Sequence, residues 1–191
     1  MSHGEESLIF GLIAKKGAGK TTFTNVARKV FGDENTLVIT SGDMLGERLK
    51  RAGKPVTDEN KQDLYIGLKK TLGEDFIAQE VKTRIEKSRN KFRCIIWDGV
   101  RLPHDVRVMQ SLGGILVFIV TSMDKRYERR RMRTTKEGEK NLSWEQFLKE
   151  EEKETEQQIA DIGIKYGKFL FANDGTLEQF ERQVGKFLRS L

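Results

Sequence analysis

The chain has 191 residues, with 35 Lys and Arg against 29 Asp and Glu, a formal net charge of +6, and 37% hydrophobic residues. That length suits a single domain, residues 1–191, with a sizeable core. No apolar run is long enough to span a bilayer, residues 1–7 lack the features of a signal peptide, and the lone Cys94 excludes an internal disulfide, so the expectation is a cytoplasmic protein.

In chain order, the apolar run at residues 8–13 reads as a buried strand, followed by Ala-Lys-Lys-Gly-Ala-Gly-Lys-Thr-Thr at residues 14–22 and an amphipathic helix to Phe31. Residues 36–40 are a second short strand, with Ser41 or Asp43 as caps for a helix to about Arg51. Gly53 and Pro55 punctuate, and two further helices are expected from about residue 57 to 70 and from 74 to 87. Residues 43–92 therefore form a helical insertion between strands. A third strand at residues 93–97 delivers Asp98-Gly-Val-Arg101, and a fourth at 115–120 leads into the cationic segment at 124–133. Ser143 and Gln146 form a capping-box pair that opens one acidic helix to about residue 159, and residues 124–160 together are expected to form a lid. A last strand at residues 168–172 ends in Asn173-Asp-Gly-Thr176, and a terminal helix runs from Leu177 to Leu188. Strands and helices alternate, which predicts an α/β, three-layer fold around a five-stranded parallel sheet.

The chemistry starts at residues 14–22. Strand, Gly-rich turn, Gly-Lys-Thr and helix is the context of a phosphate-binding loop. Gly17 and Gly19 let the backbone of Lys16, Ala18 and their neighbours curl so that N–H groups converge on phosphate. The helix N-terminus adds its positive end, Lys20 reaches the β- and γ-phosphates, and Thr21 offers a hydroxyl to Mg²⁺, with Thr22 beside it. Asp98, at a strand end, can hold a Mg²⁺-bound water. Arg101 is placed to grip an acceptor phosphate with a planar fork. Arg126, Arg129, Arg130 and Arg133 recur at helical spacing, so one face carries four like charges unless an anion neutralises them. The donor is expected to be ATP with Mg²⁺, and the partner a small nucleotide acceptor rather than a membrane.

These motifs resemble the nucleoside monophosphate kinase superfamily, including archaeal-type dephospho-coenzyme A kinase-related and adenylate kinase-like proteins, nearly end to end. The resemblance implies a P-loop kinase fold. It implies that Asp43 and Arg48 belong to the start of the acceptor-binding insertion, and that Arg101 holds the acceptor phosphate. It implies that Arg129 and Arg133 begin the lid and act with Lys20 and Asp98 in catalysis, while Asn173 and Gly175 lie in the loop beside the donor base. The chain departs from adenylate kinases in having Val100 where they have proline, no arginine between Arg133 and Arg182, and a strongly acidic run from Glu150 to Glu156.

A nucleoside monophosphate is the first expectation for the acceptor and dephospho-coenzyme A the second. From another class, the basic segment also suits an RNA- or ribosome-associated, nucleotide-gated binding factor with weak ATPase activity. Nucleic acid is the less favoured partner, because Tyr127 is the only aromatic residue in the basic run.

Overall fold

The computed structural model describes residues 6–132, 142–152 and 154–191. Its centre is β1 (Leu8–Ile13), flanked by β3 (Cys94–Asp98) and β4 (Ile115–Val120), with β2 (Thr36–Thr40) and β5 (Phe169–Ala172) at the edges. The sheet order is β2-β3-β1-β4-β5 and every pairing is parallel. The central strands β1, β3 and β4 are covered on both faces and read as continuous apolar runs, while β2 and β5 at the edges show shorter ones. The third strand sits one residue later than the pattern suggests, so Asp98 is its last residue.

Side chains alternate across the sheet and divide the core in two. Phe10, Leu12, Cys94, Ile96, Val117 and Ile119 face α1 (Lys20–Phe31) and α9 (Leu177–Arg189), where Phe23, Val26, Phe180 and Val184 cover them. Ile9, Ile13, Ile95, Trp97, Leu116 and Phe118 face the opposite layer. That layer is built from α2 (Ser41–Arg51), α4 (Phe76–Ser88), α5 (Pro103–Ser111) and α8 (Glu154–Tyr166). Between α2 and α4 lies α3 (Asp58–Leu72). Helices α6 (Met123–Arg131) and α7 (Trp144–Glu151) lie between β4 and α8 in the chain. No helix among the described residues is long and apolar enough to cross a membrane.

Two local expectations change. The cap of α2 is Thr40, not Ser41 or Asp43. Thr40 keeps the extended backbone of β2 and its hydroxyl accepts the Asp43 N–H at 2.9 Å, so Ser41 is already helical. The acidic segment is also two helices, α7 and α8, rather than one. Glu151, at the end of α7, binds Arg126 and Lys15, and Glu156, near the start of α8, binds Arg101.

Candidate active site

The C-terminal ends of the parallel strands carry the site, as the dipoles and loops of this architecture favour. The turn between β1 and α1 is held by a 3.2 Å bond from Ala18 N–H to the Lys15 carbonyl. Gly17 (φ 82°) and Gly19 (φ 116°) occupy left-handed backbone, which residues with a Cβ rarely adopt. The space is equally restrictive. A Cβ on Gly17 would lie 2.8 Å from the Arg126 carbonyl oxygen, and one on Gly19 would collide with the Asn173 amide.

Gly19 is the N-cap of α1, no side chain caps this helix, and its first turn carries no acid. Helices α4 and α6 also lack a side-chain cap bond, while α2, α3, α7 and α9 each have a Ser or Thr cap that accepts an N–H of the first turn. The uncapped donors and the positive helix end are the elements that bind phosphate.

Lys20 opens the helix and curls back over the loop. Its Nζ donates to the Ala14 carbonyl at 3.2 Å and the Lys15 carbonyl at 3.5 Å, and lies 3.9 Å from Asp98 Oδ1. Asp98 is in register with Leu12 and with Thr40, so it stands at the shared C-terminal rim of β1, β3 and β2. A 3.1 Å bond from Val100 N–H to the Leu12 carbonyl fixes the turn that follows. Thr21 is exposed in the first turn of α1, with Thr22 half-buried next to it. These residues fit the predicted ligands: a glycine cradle for polyphosphate, a lysine at its mouth, and a hydroxyl and a carboxylate at the rim for a hydrated Mg²⁺.

Asn173 is buried and completes the far wall. Its side-chain amide donates to the Ala18 carbonyl at 2.8 Å, and Thr121 Oγ1 donates to the same oxygen at 3.1 Å. Arg129 donates to the Asn173 carbonyl at 2.9 Å, which brings the cationic helix to this loop. Gly175 follows in the turn that enters α9, where Gln179 and Thr176 form a capping box.

The cations expected to hold an acceptor are engaged within the chain. Arg48 donates to Glu80 of α4 at 2.6 Å, and Arg101 is paired with the buried Glu156 of α8. Asp43 lies exposed in the first turn of α2, at the end of β2 beside β3. The Arg101 backbone is itself anchored, because Asp105 accepts the N–H groups of Arg101 and Leu102 at 2.9 and 3.0 Å. Burial pushes the Asp105 carboxyl above the usual Asp range, against the pull of those donors and of His104.

Arg126, Arg129 and Arg130 do not share one solvated face. Arg126 and Arg130 are buried, with their guanidinium groups 5.5 and 5.7 Å from the centre of the Phe147 ring. Arg129 turns instead to Asn173, and Arg133 lies outside the described residues. The anions that neutralise this cluster come from the chain itself. Glu151 accepts both Arg126 Nη groups at 2.6 and 2.8 Å and Lys15 at 2.9 Å; Glu150 accepts Lys16 at 2.9 Å and lies 3.1 Å from Arg130. Burial works against ionisation of both carboxyls. The bonds from Lys16 and Arg130, and from Arg126 and Lys15, outweigh it and hold them below the usual Glu range.

Glu150, Glu151, Glu156 and Lys15 were not among the expected site residues. One signal for them existed. Phe147, Glu150 and Glu151 share a helix face at spacing i, i+3, i+4, opposite in charge to the segment at 124–133.

No protein-family model matches the chain. In sequence it is similar to UPF0200 proteins along nearly its whole length. One from Methanoregula boonei is 29% identical over 193 residues, 96% of this chain and 97% of that protein. One from Pyrococcus abyssi is 25% identical over 188 residues, 96% and 97% of the two chains. Among solved structures, shikimate kinase from Bacteroides thetaiotaomicron superposes with a TM-score of 0.58 at 17% identity, covering 95% of this chain and 98% of that one. TT1252 from Thermus thermophilus gives 0.56 at 16% identity, covering 98% and 99%. Similar end to end in sequence to archaeal UPF0200 proteins, the chain shares the five-stranded parallel α/β fold of these P-loop kinase structures.

Proposed function

We propose that this chain is a Mg-ATP-dependent phosphotransferase whose acceptor is a nucleoside monophosphate. The observation that carries the reading is Lys20, held over an uncapped helix N-terminus between the loop carbonyls and Asp98. In this reading the amides of residues 16–22 hold the donor phosphates and Lys20 neutralises charge on the β- and γ-oxygens. Thr21 and Asp98 would hold Mg²⁺, which would supply charge neutralisation for the phosphates. Arg129, which donates to the Asn173 carbonyl, and Arg133 would close over the transferring group. Asn173 and Gly175 line the donor base. Asp43, Arg48 and Arg101 receive the acceptor once their acidic partners give way. Phosphoryl transfer needs little covalent help from the protein beyond positioning and charge.

One observation favours a second reading. Arg101 is already neutralised by Glu156, whose other carboxylate oxygen is buried with no hydrogen-bond partner. A phosphate monoester must displace that carboxylate, whereas an acceptor hydroxyl could use it as a base. Dephospho-coenzyme A, which presents a ribose hydroxyl, is the second candidate for this reason. Of the basic residues on which the RNA-binding reading draws, Arg126 and Arg130 are buried and paired within the fold.

The test is an acceptor panel: Mg-ATP with ribo- and deoxyribonucleoside monophosphates, dephospho-coenzyme A, or no acceptor, with products identified by mass. A nucleoside diphosphate product is the expected result. Phosphorylated dephospho-coenzyme A would promote the second reading. ATP binding with no acceptor phosphorylated would defeat both kinase readings and leave a nucleotide-gated binding factor.

A further inference from the structure

Helix α7 places Phe147, Glu150 and Glu151 on one face, and that face is pressed onto the mouth of the phosphate loop. Phe147 is fully buried beneath the guanidinium groups of Arg126 and Arg130. From this anchor the two carboxylates reach four cations, Lys15, Lys16, Arg126 and Arg130, at 2.6–3.1 Å. One further acid, Glu156, takes Arg101 in the same way. Carboxylate and phosphate oxygens offer these cations the same charge-assisted hydrogen bonds.

The two glutamates are not equivalent. Glu151 is buried against buried Arg126 in a two-bond fork, which is sufficient to dock α7. The Glu150 side chain is 27% exposed at the rim, and Lys16 beyond it is 41% exposed. Exposed pairs of this kind add little to stability. Yet Glu150 places a negative charge on the very loop that the proposed function requires to receive polyphosphate.

We propose that the α7 carboxylates are an internal substitute for nucleotide phosphate: in the resting protein Glu150 and Glu151 occupy cations of the phosphate loop, and an incoming triphosphate competes with α7 for them. The proposal rests on the phosphate-loop reading above and concerns the regulation of the same site. It makes nucleotide binding and release of α7 one coupled equilibrium, so the differential affinity of triphosphate for the released state sets its population. Removing a competing carboxylate must then tighten triphosphate binding, whereas removing a carboxylate that merely positions the lysines must weaken it.

The experiment uses the full chain and titrates Mg-ATP and inorganic tripolyphosphate into wild type, Glu150→Gln and Lys20→Ala by calorimetry. Trp144 provides a second readout, because it stacks on Phe147 with ring centroids 5.4 Å apart and meets Tyr127 at 5.0 Å. The other tryptophan, Trp97, is fully buried in the sheet. Glu150→Gln should bind both ligands about two- to fivefold more tightly than wild type. Saturating triphosphate should change the wild-type tryptophan emission, and Trp144→Phe should remove that change. Unchanged or weaker binding by Glu150→Gln, or a Trp144 signal that triphosphate does not move, would overturn the proposal. If that happens while Lys20→Ala loses binding, the phosphate-loop reading stands without the competing helix. If neither wild type nor Glu150→Gln binds either ligand, both readings fall.

Discussion

Lys20 is the residue on which the proposed donor site turns. Its ammonium group satisfies itself on two carbonyls of its own loop and faces Asp98, an arrangement in which phosphate oxygens can replace the carbonyls without the side chain moving far. Lys20→Ala should therefore keep the fold and lower turnover about a hundred- to thousand-fold, the cost of one charge-assisted contact in a water-poor site. Near-normal turnover with an unchanged melting curve would remove the donor assignment. Cys94 shows the opposite situation, a reactive group with nothing to react with. It sits fully buried on β3, in register with Leu8 and Thr36, and burial pushes its thiol up to about 12. Only the thiolate attacks, so at pH 8 the native protein should resist thiol reagents and titrate one thiol only after unfolding. Rapid labelling of the native chain would contradict this packing. Both residues are legible from the sequence, Lys20 because the loop motif is local and Cys94 because it lies within an apolar run. The partners of Arg101 and Arg126 are not. Glu156 and Glu151 are 55 and 25 residues away in the chain, and only the docking of α7 and α8 brings them close.

At the scale of the element, α7 is held by a buried ion pair and an aromatic contact rather than by a broad apolar stripe. Phe147 and Glu151 are its buried residues. Truncating Glu151 would leave the buried Arg126 guanidinium without its counter-charge, a situation that costs about 3 kcal/mol or more. Glu151→Ala should lower the urea midpoint accordingly, while Glu151→Asp, which keeps the charge, should lose less; equal losses would show that the pair contributes only packing. Acid should act on the same contact. Glu150 and Glu151 titrate below the usual Glu range when docked, facing Lys15, Lys16, Arg126 and Arg130. A depressed carboxyl stabilises the docked state fully above the ordinary value of about 4.3, and that contribution is lost as pH falls through the docked values. Tryptophan emission should accordingly report loss of the Trp144 environment only below about pH 4, and an onset near pH 6 would rule these carboxylates out. The start of the helix is marked in the sequence by its capping box, but its end is not. Nothing in the run of acids after Glu150 marks where α7 ends, and Glu151 and Glu156 pair with residues distant in the chain.

Across the whole molecule, burial is uneven in a way that bears on function. The central strands β1, β3 and β4 are buried on both faces, and their apolar runs make the parallel sheet and its five strands readable from the amino-acid pattern alone. Their order is less local. It follows from which strands pair side by side, and only the placement of Asp98 beside the loop hints at the β1–β3 neighbourhood. The insertion contrasts with this core. Helix α3 has no fully buried side chain among those described, and it leans on the rest through half-buried Leu64, Tyr65 and Leu68, with Tyr65 5.7 Å from the Phe76 ring. Segments with few buried apolar contacts open at lower free energy than the core. Hydrogen exchange read by mass should therefore find the amides of α3 exchanging well before those of β1, β3 and β4 in the free protein. Mg-ATP alone should protect residues 14–22 and leave α3 nearly unchanged, because the donor loop and the insertion are separate elements joined through the sheet. Adding the true acceptor should then slow α3 and α2, since an acceptor bound by Asp43, Arg48 and Arg101 links the insertion to the strand ends. Protection of α3 by Mg-ATP alone, or none with any phosphorylated acceptor, would place the acceptor elsewhere than between the insertion and Asp98.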